Sequence, residues 1–250
     1  MFYLKYHPQI QTSLGAREVH FFDWHYNQGI RWYESKMKFA RDDQLVFEKT
    51  PRYFVNGYTP KRIHRDLSDK IRFLLCVRDP VDRLVSDFHF TKHIRSTASW
   101  KKKQTAESES LRFISTITDK KGALITDNAF VSTSNYAFHF SKWLKLFDRE
   151  KFLIIDNSDM VTNLTGVLQQ VEMFLGLDNF FNKDLFVKSR HGHNCLKLGS
   201  KSLCPPQIGN SALPKPKLSE SLEVQLRDYF RPLNRQFEKL SGQRFIWTEL

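Results

Sequence analysis

Ile71-Arg72-Phe73-Leu74-Leu75-Cys76-Val77-Arg78-Asp79-Pro80-Val81-Asp82-Arg83-Leu84-Val85-Ser86-Asp87-Phe88 joins two patterns at Arg78. Up to Val77 the run is nearly continuous in apolar character, which predicts a strand buried on both faces, as in a parallel sheet. Within it, Cys76 reads as a buried thiol. Asp79 is placed to cap a helix and Pro80 to occupy its first position. Val81, Leu84, Val85 and Phe88 then supply one apolar helical face. Residues 71–90 are therefore predicted as one strand-loop-helix unit, with Arg78 at the C-terminal end of the strand. In open α/β sheets that edge is where ligands bind.

Moving outward, Lys151-Phe152-Leu153-Ile154-Ile155-Asp156 is a second strand of the same kind. Leu45-Val46-Phe47 is a short third, bringing Glu48 and Lys49 to the same edge. Strands alternating with helical stretches define an α/β class. Tyr136, Phe140, Trp143, Leu144 and Phe147 predict a helix over 136–147, and a further helix over 167–175 ends at Gly176. A last helix is predicted over roughly 219–230, stopping at Arg231-Pro232. Phe245-Ile246-Trp247 reads as a terminal strand. Residues 100–110, with Lys101-Lys102-Lys103, are polar and read as a loop or a helix start. Residues 205–216 hold four prolines and are expected to be irregular.

A chain of 250 residues is long enough for a full core, and 1–250 reads as a single domain. An aromatic content of 14%, with 22 Phe, excludes disorder as the global state. The formal charge of +12 calls for an anionic partner: nucleic acid, phosphorylated cofactor, acidic polysaccharide or membrane surface. The lysines do not alternate with aromatics as a base-stacking surface requires, so nucleic acid rests on charge alone. No apolar run approaches the roughly 18 residues of a spanning helix. Residues 1–10, with Lys5, His7 and Pro8, do not form a signal peptide. Neither GxxxxGK[ST] nor GxGxxG occurs.

Glu18-Val19-His20-Phe21-Phe22-Asp23 and Glu48-Lys49-Thr50-Pro51 set charges among apolar and aromatic residues. A Glu18 carboxylate desolvated by Val19, Phe21 and Phe22 would suit a general base near neutral pH; a salt-bridged glutamate is the competing reading. Asp23 could orient a substrate hydroxyl or hold a cation. Lys49 could pair with Glu18 or bind an anionic group, and Thr50-Pro51 would turn the chain. Arg78 and Ser86, two helical turns apart, match phosphate oxygens. Arg83 and Asp87 have the spacing of an i, i+4 ion pair. Tyr136, His139 and Trp143 share one helical face, on which a satisfied core histidine competes with a binding role. Cys195 and Cys204 suit a closed loop, implying an oxidising compartment, or are two unrelated thiols. Without a partner CxxC, no metal site is expected. Asn163-Leu164-Thr165 is a glycosylation sequon.

These runs, with Gly29-Ile30-Arg31-Trp32-Tyr33, Phe174-Leu175-Gly176-Leu177 and Arg231-Pro232-Leu233-Asn234 ahead of Phe245-Ile246-Trp247, resemble heparan sulfate glucosamine 3-O-sulfotransferase over nearly the whole chain. The resemblance implies a P-loop-like sulfotransferase fold, with a central parallel sheet flanked by helices. It implies transfer of a sulfuryl group from 3'-phosphoadenylyl sulfate (PAPS) to the 3-hydroxyl of a glucosamine unit in heparan sulfate. By the same resemblance Glu18 is the base, Asp23 supports it, and Lys49 lies near the sulfuryl group and the acceptor. His20 and His139 join Lys49 on the acceptor side, while Arg78 and Ser86 contact the 3'-phosphate. Cys195 and Cys204 correspond to the family's disulfide. The family implies a Golgi-lumenal enzyme held by a single N-terminal membrane anchor; in that compartment the Asn163 sequon would be a site of glycosylation.

Two departures from the family pattern stand out. Leu4, His7, Pro8 and Ile10 match the end of the helix that follows the family's first strand and its Lys-Gly-Gly-Thr-Arg loop. The sequence therefore reads as incomplete at the N-terminus, with the first strand, the phosphosulfate loop and the anchor missing. After Cys204, the family's Lys-Gly-Arg is replaced by Pro205-Pro206-Gln207. The alternative function is accordingly a noncatalytic heparan-sulfate-binding protein or an inactive fragment of such an enzyme.

Overall fold

The computed structural model describes residues 2–15, 18–95, 105–190, 192–205 and 216–250, with backbone alone for 92–95 and 106. The chain divides into two compact units, Met1–Cys76 with Trp143–Pro206, and Val77–Lys142 with Gln207–Leu250.

The strands of the first unit are short. β1 (Ile10–Thr12) pairs in parallel with β2 (Leu45–Phe47), setting Ile10 against Leu45 and Thr12 against Phe47. β3 (Phe73–Val77) pairs with β4 (Phe152–Asp156). The α/β class expected from the sequence is present, with the sheet divided into these separate pairs. Cys76 corrects the sequence reading: it is exposed. Phe73 instead turns to an aromatic cluster, with ring centroids 5.1 Å from Trp143, 4.9 Å from Phe147 and 4.7 Å from Phe152.

Leu4, Ile10, Ile155, Leu168, Val171 and Phe181 form the core of this unit. Within it, Glu172 is 1% exposed. Its Oε1 accepts the N–H groups of Phe180 at 2.9 Å and Phe181 at 2.8 Å and lies 3.5 Å from Nε2 of the buried His7. A carboxylate is tolerated in such a place only with donors aimed at it. The helix Leu164–Leu175 starts three residues before its predicted boundary. Asn163 caps it by accepting the Gly166 N–H at 3.2 Å, and Gly176 ends it in the left-handed region at φ 68°.

β5 (Phe186–Lys188), β6 (Asn194–Leu198) and β7 (Lys201–Leu203) form an antiparallel sheet, and a disulfide joins Cys195 to Cys204. Replacing both cysteines with serine should cost roughly 2–3 kcal/mol through the entropy returned to the unfolded loop. A lowered denaturant midpoint would report it; an unchanged midpoint would show that the crosslink adds nothing to stability.

In the second unit, Asp79 Oδ1 accepts the Val81 N–H at 2.8 Å and opens the helix Pro80–Arg95. Val81, Leu84 and Phe88 pack on Phe113 and Ile117 of the helix Ala106–Ile117 and on Leu226 of the helix Glu220–Ser241. Thr105 and Ser108 form a reciprocal capping box, so a helix start is correct for the end of the 100–110 stretch. Lys101-Lys102-Lys103 and most of 205–216 lie outside the described residues. The last helix does not stop at Arg231-Pro232 but continues through Pro232 to Ser241. Phe245-Ile246-Trp247 is not a strand: Ile246–Thr248 is one 3-10 turn. Among the described residues no helix is long and apolar enough to cross a membrane.

Candidate functional site

Phe21 and Phe22 are each 1% exposed, and their burial fixes the turn on which the first group of candidate residues sits. Phe21 stacks on Tyr33 at 4.9 Å, and Phe22 meets Tyr53 edge-on at 5.6 Å. His20 lies between the exposed Glu18 and these rings, with a positive φ of 53°. A non-glycine residue in the left-handed region costs about 1 kcal/mol or more, so surrounding contacts must hold it there. The His20 carbonyl accepts the N–H groups of Trp24 at 3.1 Å and His25 at 3.0 Å, which closes the turn.

This geometry brings Glu18, His20, Asp23 and Lys49 together. Lys49 Nζ donates to Glu18 Oε1 at 2.6 Å. Glu18 Oε2 is 3.2 Å from His20 Nε2, and His20 Nδ1 is 2.9 Å from Asp23 Oδ2. The Asp23 side chain is fully buried, whereas Glu18 and Lys49 are 35% and 44% exposed. Glu18 is therefore not buried among Val19, Phe21 and Phe22, as the sequence implied. The phenyl rings turn inward, and the carboxylate reaches solvent with a lysine and an imidazole on its two oxygens. His20 has both nitrogens facing carboxylates and one ring face stacked on Trp24, with centroids 3.7 Å apart. It is thus a link between two acids.

Arg78 and Ser86 belong to the second unit. Arg78 leaves β3 with its backbone clamped by Tyr136, whose hydroxyl donates to the Arg78 carbonyl at 3.0 Å and accepts its N–H at 3.4 Å. Burial pushes the Tyr136 hydroxyl up to about 12, so at neutral pH it keeps the proton this clamp uses. Arg78 Nη2 donates to Asp82 at 3.0 Å. Its Nε is buried without a hydrogen-bond partner, while the side chain is 37% exposed. An unsatisfied guanidinium N–H beside an open edge suits an anionic ligand. Ser86 is half-buried on the helix Pro80–Arg95 that follows.

His139 is buried, its Nε2 is 3.0 Å from the Ser132 carbonyl, and burial lowers its pKa. These are the surroundings of a core histidine, the competing reading of the sequence. Arg83 does more than pair with Asp87 at 3.1 Å. It also donates to Ser134 Oγ at 2.7 Å and to the Phe130 carbonyl at 2.6 Å. Sequence reading missed Tyr33 and Tyr53 beneath the Glu18 turn; the Gly29-to-Tyr33 run quoted for the family was the available signal for the first of them.

A protein-family model described as "Sulfotransferase domain" matches residues 3–194. Human heparan sulfate glucosamine 3-O-sulfotransferase 6 is 32% identical over 249 residues, covering 98% of this chain and 68% of that protein. Human heparan sulfate glucosamine 3-O-sulfotransferase 5 is 30% identical over 251 residues, with the same coverage of 98% and 68%. The crystal structure of a sulfotransferase from Alicyclobacillus acidocaldarius superposes with a TM-score of 0.66 at 18% identity, covering 100% of this chain and 92% of that one. At that identity it speaks for the fold alone, which is the sulfotransferase fold. The domain match and the identities together place this chain in the sulfotransferase family, among the heparan sulfate glucosamine 3-O-sulfotransferases.

Proposed function

We propose that the protein transfers a sulfuryl group from PAPS to the 3-hydroxyl of glucosamine units in heparan sulfate, with Glu18 as the general base. The observation that carries this reading is the solvent-reaching Glu18 carboxylate held at 2.6 Å by Lys49 and at 3.2 Å by His20. Bound in the site, PAPS would supply the sulfuryl group. Glu18 would take the hydroxyl proton as the sugar oxygen bonds to sulfur and the bond from sulfur to the donor's phosphate oxygen breaks, with 3'-phosphoadenosine 5'-phosphate as the leaving group. The buried Asp23 fixes His20, and His20 fixes Glu18. Lys49, already at the base, offsets negative charge on the transferring group. The overall charge of +12 favours a polysulfated acceptor and makes its binding salt-sensitive.

The cofactor's 3'-phosphate is assigned to Arg78 and Ser86, supported by the unpartnered Arg78 Nε. Arg78→Ala should weaken binding of 3'-phosphoadenosine 5'-phosphate by about 10- to 100-fold, the worth of a charge-assisted hydrogen bond of roughly 1.5–3 kcal/mol. Arg78→Lys should recover only part, because an ammonium cannot reproduce the fork. Titration calorimetry checks both, and unchanged affinity in Arg78→Ala refutes the assignment. The Golgi lumen is the proposed compartment, supported by the Cys195–Cys204 disulfide and the exposed Asn163 of the sequon.

A further inference from the structure

Glu48 follows β2 directly and has no role in the chemistry above. Its carboxylate is half-buried under the Glu18-to-Asp23 turn, and burial raises its pKa, with Asp23 adding a smaller effect in the same direction. Thr50 Oγ1 donates to Glu48 Oε2 at 2.9 Å, and the Tyr33 hydroxyl donates to Oε1 at 3.4 Å. The Tyr53 phenol interacts electrostatically with this carboxylate. The Thr50 and Tyr53 hydroxyls also act as acceptors for the turn. Thr50 Oγ1 receives the His20 N–H at 3.4 Å, and the Tyr53 hydroxyl receives the N–H groups of Phe21 at 2.8 Å and Phe22 at 3.3 Å. Three successive backbone donors, starting at the left-handed His20, thus end on two hydroxyls, of which that of Thr50 donates in turn to Glu48.

We propose that Glu48 is a positioning residue for the base: by orienting the Thr50 hydroxyl it holds the backbone of the turn at His20, and through it Glu18. The proposal rests on the reading of Glu18 as base. An ionised carboxylate only accepts, so it can take both hydroxyl protons, from Thr50 on one oxygen and from Tyr33 on the other. A glutamine at this place presents an amide that donates at one end. One hydroxyl must then face a donor, with its proton left without an acceptor. Tyr33, Tyr53 and Asp23 are the titratable groups that act on Glu48 in this arrangement.

Glu48→Gln, nearly isosteric, tests this in the whole chain by two readouts. Amide hydrogen exchange at His20 should rise at least tenfold, while the helix Leu164–Leu175 of the same unit keeps its protection. Thr50→Val should loosen His20 in the same way and Thr50→Ser should restore it. Unchanged exchange at His20 overturns the proposal. Equal loosening of the helix does so too, since Glu48 would then only support the unit as a whole. In sulfate transfer, kcat should fall tenfold or more at an unchanged KM for heparan sulfate; a loss confined to KM contradicts positioning of the base. If the unmutated chain transfers no sulfate, the transferase reading fails, and the exchange data still decide whether Glu48 holds the turn.

Discussion

Glu18→Gln should lower kcat for sulfuryl transfer by about a hundredfold to ten-thousandfold, the usual worth of a positioned general base. Heparan sulfate should still bind. The amide keeps an oxygen for Lys49, which now donates to Glu18 at 2.6 Å, so the local packing survives. What is lost is the ability to take a proton. Lys49 loses its counter-charge in this variant, so affinity for a sulfated chain is expected to stay level or to rise. The pair is partly exposed and adds only about 0.2–1 kcal/mol to stability, so the protein should unfold almost as before. Transfer of radiolabelled sulfate and a direct polysaccharide-binding measurement separate the two effects. Turnover within twofold of the unmutated protein would rule out Glu18 as the base.

Phe237→Ala is expected to destabilise the second unit by about 3–5 kcal/mol, near the top of the range for a point change. The ring is fully buried, with centroids 5.5 Å from Tyr136, 5.7 Å from Phe140 and 5.4 Å from Phe245. Loss of so many ring contacts leaves a cavity that the helix Glu220–Ser241 cannot close without bending. The effect reaches function through Tyr136, because its hydroxyl clamps the Arg78 backbone. Nucleotide affinity should therefore fall together with stability. Denaturant unfolding gives the first quantity and calorimetry the second. A loss under about 1 kcal/mol would mean that the site collapses around the missing ring and that the packing argument fails.

Pro232 shows where sequence rules reach their limit. An interior proline removes one helical hydrogen bond and costs about 3 kcal/mol, so a stop at Arg231 was the natural expectation. The helix continues because Asn234, Phe237 and Ser241, all beyond the proline, are buried on one face. Tertiary burial outweighs the local penalty. Phe245-Ile246-Trp247 failed for a different reason. Three apolar residues carry no period, and stacking of Phe245 on Phe237 and on Trp247, at 5.4 Å and 4.6 Å, selects a 3-10 turn instead. His139 has the spacing of a site residue, yet its Nε2 is engaged by the Ser132 carbonyl. Spacing along a helix says which residues share a face, not what lies opposite that face.

Local order was legible from residues 71–88 onward. The strand that becomes Phe73–Val77, the Asp79 cap and the helix opened by Pro80 depend on neighbours in the chain, so their signals are short-range. The residue types of the candidate site were equally visible: Glu18, Asp23, Lys49, Arg78 and Ser86 all stand in quotable runs. Their geometry was not. Whether Glu18 is buried or open depends on which way Phe21 and Phe22 turn, and that is set by Tyr33 and Tyr53. Whether His20 meets a substrate or two carboxylates depends on a backbone angle held by hydroxyls about thirty residues away. Such contacts join segments distant in sequence, and only the packed chain brings a carboxylate, two hydroxyls and three backbone donors into register.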